Sequence, residues 1–218
     1  MARFKFSPER QITIGVLTIF IGICIILSSY FGQIRSEVFN YQNMRYYETM
    51  INMEFPLEEL DPDEELLDGE TPPNRNPEPV RRPIDDSRHY IGFLSIPRIN
   101  LRRGFVPIDS RFNTVNRNIQ IISPSDMPTV SGGNMIIAAH SGSSAISFFR
   151  DLWRLEIGDE AIINYRGQEF RYVIRDIYFV PYTGTVPIRR NPNATTLTLI
   201  TCTRGERDMQ TVYIAELV

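Results

Sequence analysis

Residues 196–202 read Thr-Leu-Thr-Leu-Ile-Thr-Cys, a run of β-branched and aliphatic side chains that ends on a thiol. A short apolar run of this kind, bounded by turn residues, is a buried strand. Asn191-Pro192-Asn193 precedes it, and Thr203-Arg204-Gly205-Glu206-Arg207 follows it as a turn. The same pattern recurs on both sides of it. Strands are expected at 91–97, 101–108, 115–122, 135–140, 160–165, 169–180 and 210–217, with Gly, Pro, Asn and Asp between them. Asn164-Tyr165-Arg166-Gly167 predicts a hairpin turn. One short helix fits 145–155, with Ile146, Phe149 and Trp153 on one face. Eight strands in about 130 residues imply a closed or nearly closed barrel, which removes exposed sheet edges. The expected fold is therefore mostly β, an eight-stranded β-barrel over residues 88–218 with one or two short helices.

The chain before the barrel has a different composition. Residues 12–31, ITIGVLTIFIGICIILSSYF, carry no charge. As a helix this run is about 30 Å long, the thickness of a bilayer core. It is too long for the apolar part of a secretory signal, and Ser28-Ser29-Tyr30-Phe31 is a poor cleavage site. It reads as a retained transmembrane anchor. Arg3, Lys5 and Arg10 precede it, so residues 1–11 form a cytoplasmic tail and everything after the anchor lies outside the cell. Residues 32–87 read as a spacer. Its first part, 32–53, is tyrosine-rich and either extends the helix or lies on the membrane surface. Residues 54–70 then hold nine acidic groups, and residues 71–83 hold five prolines. Such a segment buries too little apolar surface to fold alone. It is expected to be a solvated spacer, or a lid docked on the basic barrel, and residues 1–80 are expected to be dispensable for chemistry and needed for location.

Charge and residue counts narrow the function. Residues 1–87 carry 8 basic and 15 acidic side chains, and residues 88–218 carry 15 and 11. The overall net charge of −3 is too balanced for nucleic-acid binding to be the main task. Two cysteines and two histidines exclude a disulfide scaffold and a Cys-rich zinc module, and no metal or other cofactor is expected. Cys24 lies mid-membrane as a small apolar group. Cys202 and His140 each end a buried strand, the latter after Met135-Ile136-Ile137-Ala138-Ala139. A thiol and an imidazole meeting at one mouth of a barrel make a nucleophile and a proton shuttle. The competing reading is an inert buried thiol. An unpaired cysteine outside the cell favours the first.

Thr198-Leu199-Ile200-Thr201-Cys202-Thr203 resembles the TLxTC signature of sortases. Residues 134–140 resemble the strand that carries the sortase histidine, 147–164 the short helix, Leu-x-x-Leu, Gly-Asp and strand that follow it, and 91–101, with its IPxI phrase, the opening strand. The resemblance covers roughly residues 90–218. It implies a membrane-anchored cysteine transpeptidase of the kind found mostly in Gram-positive bacteria. Such an enzyme cleaves a C-terminal sorting signal of secreted proteins, often Leu-Pro-x-Thr-Gly-like, after its Thr. It passes the acyl group through a thioester to an amine of a cell-wall precursor or pilin. Cys202 would be the nucleophile and His140 the acid/base. The third family residue is an arginine near the start of the last strand, where this chain has Gln210. Arg204, at i+2 from Cys202, is the preferred substitute, with Arg207 as the alternative and Gln210 and the Arg189-Arg190 pair behind them. The loop 109–118 lacks the acidic cluster of a calcium site. Two other functions are weighed against transpeptidation, a silent extracellular binding domain and a cysteine hydrolase.

Overall fold

The computed structural model describes residues 8–54 and 89–218. Eight strands follow a long helix: β1 Gly92–Ile96, β2 Leu101–Phe105, β3 Gln120–Ile121, β4 Asn134–Ala138, β5 Glu160–Tyr165, β6 Gln168–Pro181, β7 Thr196–Cys202 and β8 Met209–Leu217. They form one sheet in the order β2-β1-β5-β6-β8-β7-β4-β3. All neighbours are antiparallel except β4 and β7, which run parallel. The sheet rolls into a nearly closed barrel. β2 and β3 share no ladder, and the buried Asn118 side chain spans the gap by donating to the Gly104 carbonyl at 2.6 Å.

The alternation of each strand sends one set of side chains inward. Leu94, Ile96, Phe105, Ile121, Met135, Ile137, Ile163, Ile174, Leu197, Leu199 and Tyr213 fill the barrel. The opposite face of β4, β7 and β8 is also apolar. Ile136, Ile200, Val212 and Ile214 pack there with Tyr178 and Val180, under Val186 and Ile188 of the β6–β7 connection. β7 is therefore buried on both faces along Thr196–Thr201, as its composition requires.

Three local expectations change in detail. The strand expected at 115–122 shrinks to Gln120–Ile121. Asn113 makes paired bonds with Ile121, its side chain accepting from the amide and donating to the carbonyl, and so replaces a strand neighbour with a loop. The helix expected at 145–155 is reduced to a 3-10 turn at Leu152–Arg154. Phe149 is buried, but Trp153 is 51% exposed, so the residues do not share one buried face. β6 is one strand with a register shift between Ile174 and Asp176. The hairpin turn lies where expected. Arg166 and Gly167 both have positive φ, at 50° and 77°, between β5 and β6. Two such residues give the twist that an antiparallel pair needs.

Helix α1 runs from Pro8 to Glu54, 47 residues or about 70 Å. Its uncharged stretch exposes Ile12, Ile19, Phe20, Ile26 and Phe31, and the helix is long and apolar enough to cross a membrane. It is a candidate membrane anchor. Residues 32–54 continue the helix and lie along the barrel. Met44 and Tyr47 are buried against Tyr90 and Val106, with Ile51, Phe93 and Phe112 around them. The Tyr47 hydroxyl donates to Asn164 Oδ1 at 2.9 Å and accepts from the Gly167 amide at 3.1 Å. Burial raises the pKa of this phenol. Asn40 bonds the Arg102 carbonyl, the Gly104 amide and the Tyr90 hydroxyl. Gly104 is required here, because a Cβ would sit 1.9 Å from the Tyr90 ring. Glu48 pairs with Arg102 and Glu37 with Arg103. The expected cytoplasmic tail up to residue 7 and the acidic, Pro-rich part of the expected spacer, 55–87, lie outside the described residues.

The docked half of the helix thus covers apolar barrel surface. Met44→Ala is expected to reduce stability by about 2–3 kcal/mol, the lower part of the range for a buried Met, because the helix can settle toward the gap. Denaturant unfolding of the full chain in detergent measures this. A loss under about 0.5 kcal/mol, as for a surface substitution, would mean that the helix does not dock.

Candidate active site

β4 and β7 are adjacent and parallel, with Asn134 beside Thr196 and Ala138 beside Ile200. The pairs end there, and the Ala139 amide still bonds the Ile200 carbonyl at 3.3 Å, so His140 and Cys202 follow at the same end of the sheet. Adjacent strands are about 4.8 Å apart, and register partners present their side chains to the same face. The two candidate residues therefore leave the same end of the sheet on the same side, the face of Ile136 and Ile200.

Side-chain bonds pin the two strands at both ends. Asn134 Oδ1 accepts from Thr196 and Thr198, both at 2.9 Å. At the other end Thr201 Oγ1 donates to the Ala139 carbonyl at 2.8 Å, and Ser141 Oγ donates to the Cys202 carbonyl at 2.7 Å. Ser141 follows His140 directly, so this last bond clamps the histidine turn to the cysteine backbone. The His140 carbonyl accepts from the Phe149 amide at 2.9 Å, which fixes the segment leaving the site. His140 Nε2 lies 3.1 Å from Asn116 Oδ1. This contact orients the imidazole ring on Asn116. Cys202 is exposed and unpaired, unlike an inert core thiol.

The arginine candidates separate. β7 ends at Cys202, and the Thr203 amide already bonds the Met209 carbonyl across the turn. Strand alternation does not extend to Arg204. Its guanidinium instead lies 4.3 Å from the centroid of the Trp153 ring. Trp153 belongs to the turn that follows the His140 segment, so this stack links the exit of β7 to the exit of β4. Arg207 is exposed in the same turn as Arg204. Gln210 sits directly across from Cys202 in the β7–β8 ladder, half-buried. Arg189 stacks on Tyr178 at 4.8 Å, and Arg190 donates to the Gly132 carbonyl at 2.9 Å. Tyr178 holds this connection down by donating to the Pro187 carbonyl and accepting from the Arg189 amide, both at 2.8 Å. Burial raises its pKa, partly countered by that amide.

Sequence reasoning missed Asn116, Ser141 and Trp153. Asn116 lies 24 positions from His140 in a loop with no periodicity, so no local pattern points to it.

A cleft of about 520 Å³ opens beside Ile136 on the Cys202 face. Ile108, Ser123, Pro124, Ile188 and Arg190 line it with Asp126 and Asn134.

The family description "Sortase domain" matches residues 94–218. Among solved structures, a lid mutant of sortase A from Corynebacterium diphtheriae is 25% identical, with a TM-score of 0.52 over 59% of this chain and 70% of that one. A Clostridium perfringens sortase D5 transpeptidase is 26% identical, with a TM-score of 0.51 over 61% and 81%. Sortase C-1 from Actinomyces oris shares the fold at 24% identity, with a TM-score of 0.53 over 62% and 76%. No curated protein matches the sequence significantly. Since the family match spans more than half of the 218 residues and includes the TLITC strand with its exposed cysteine, the chain belongs to the sortase family.

Proposed function

We propose that this protein is a membrane-anchored cysteine transpeptidase that cleaves a C-terminal sorting signal on secreted proteins and joins the new carboxyl end to an amine of the cell envelope. The parallel β4–β7 register, which brings His140 and Cys202 to one sheet end, carries this reading. The Cys202 thiolate attacks the scissile carbonyl carbon and forms a tetrahedral oxyanion. Arg204 supplies donors to that oxygen. His140, as imidazolium, protonates the departing amine as the C–N bond breaks, leaving a thioester on Cys202. The acceptor amine then attacks the thioester, and His140 takes its proton. Amide formation expels the Cys202 thiolate and restores the thiolate–imidazolium pair. The cleft beside Ile136, on the same sheet face, fits the apolar residues upstream of the cut. Residues 12–31 anchor the chain, with residues 1–11 in the cytoplasm, the barrel outside the cell, and 55–87 as a spacer or a docked lid. No metal or cofactor enters any step.

Exposure of Cys202 gives water access to the thioester, which is the observation behind a hydrolase as second reading. Product analysis of a sorting peptide with and without an added amine decides between them. With amine the transpeptidase is expected to yield mainly the new amide; the same carboxylic acid product in both reactions would assign hydrolysis. Failure of Cys202 to react with a thiol reagent at neutral pH would assign a silent binding domain.

A further inference from the structure

The docking of α1 on the barrel leaves a cleft of about 500 Å³ between the two. Gly32, Arg35 and Ser36 of the helix form one wall, and Asn116, Arg117 and Ile146 of the barrel form the other. Two features of this cleft point to a ligand. Its lining carries two guanidinium groups and no carboxylate, and among the described residues neither guanidinium is in an ion pair. The nearest acidic residue along the helix, Glu37, is already paired with Arg103. The cleft's height along the helix is also fixed. The uncharged run ends at residue 31, so Arg35 stands about 6 Å beyond it at 1.5 Å per residue. Headgroups occupy about 5–8 Å on each side of the hydrocarbon core. The barrel is held at that level, since a Cβ on Gly32 would lie 3.7 Å from Ala145.

We propose that this cleft holds the headgroup phosphate of an anionic membrane lipid between Arg35 and Arg117. The inference rests on residues 12–31 being the membrane anchor proposed above. Ser36 and the amide of Asn116 supply neutral donors beside the two guanidinium groups, a set suited to phosphate oxygens. Phe39, Val106 and Phe112 give the cleft an apolar floor for the glycerol end. The site lies one side chain from the candidate catalytic base, because Asn116 also contacts His140 Nε2. A lipid bound here seats the reactive face of the barrel against the membrane surface.

The test uses the full chain reconstituted in phosphatidylcholine vesicles with and without phosphatidylglycerol, with retained lipids counted by native mass spectrometry. The wild type is expected to retain one phosphatidylglycerol in preference to phosphatidylcholine. One basic residue near an anionic surface is worth about five-fold in affinity, so Arg35→Gln or Arg117→Gln should weaken retention about five-fold and the double variant about 25-fold. Both side chains are exposed, so these variants keep the fold. Equal retention by the double variant, or no headgroup preference in the wild type, overturns the proposal. Displacement of the lipid by inorganic phosphate at equal concentration would assign the site to a free anion and overturn the lipid source. Flotation with pure phosphatidylcholine vesicles tests the anchor separately. A chain that floats without headgroup preference loses only the cleft proposal. A chain that does not float loses the anchor, and this proposal with it.

Discussion

Cys202→Ala is expected to remove all turnover of a sorting peptide and all mass-detectable thioacyl adduct. The wild type should show that adduct when the acceptor amine is withheld. The expectation follows from position as well as residue type. Cys202 ends a strand whose other residues are buried, yet its own side chain is exposed. Ser141 holds its carbonyl, so the backbone beneath the sulfur is fixed. An alanine there keeps the strand and the clamp and removes only the nucleophile. Covalent catalysis has no substitute route when the attacking atom is missing. The binding cleft beside Ile136 is untouched by the change, so Cys202→Ala should still bind the peptide. Bound peptide without cleavage separates loss of chemistry from loss of fold. Persistent turnover by this variant would refute the assignment of Cys202.

The arginine carries the second large effect. Charge that develops on the carbonyl oxygen needs donors that are already in place, and losing one typically costs about 10²–10³ in rate, roughly 2.7–4 kcal/mol. Arg204→Ala is expected to lower kcat/KM of peptide cleavage by that amount, whereas Arg207→Ala should stay near wild type. The stack on Trp153 is the reason for the choice, since it restrains a guanidinium that would otherwise sample solvent. Gln210→Ala is the decisive control, because Gln210 lies across from Cys202 in the ladder. If that variant is crippled while Arg204→Ala is not, an uncharged amide serves the oxyanion. Full activity in all three variants would pass the role to backbone amides.

The barrel was legible in the chain itself, and so were the two candidate residues the structure places at one end of its sheet. Strand signals are local: β-branched runs, turn residues between them and a two-residue hairpin loop at Arg166-Gly167 each act over a few positions. Cys202 and His140 stood out because both end apolar strands, and because the residues before the cysteine form a signature. The candidate anchor was legible for the same reason, as one uninterrupted uncharged run that the structure makes helical. Three things were decided only by tertiary structure. The first is which strands are neighbours: the parallel contact of β4 with β7 joins segments 62 positions apart, from Asn134 to Thr196, and no local pattern encodes it. The second is the fate of 32–54, whose mixed composition looks like neither core nor solvent until Tyr90, Val106 and Gly104 offer it a surface. The third is the surroundings of the reactive pair, Asn116, Ser141 and Trp153, which lie in loops. Loop side chains take their positions from the strands that hold them, so their roles emerge only after the barrel has closed.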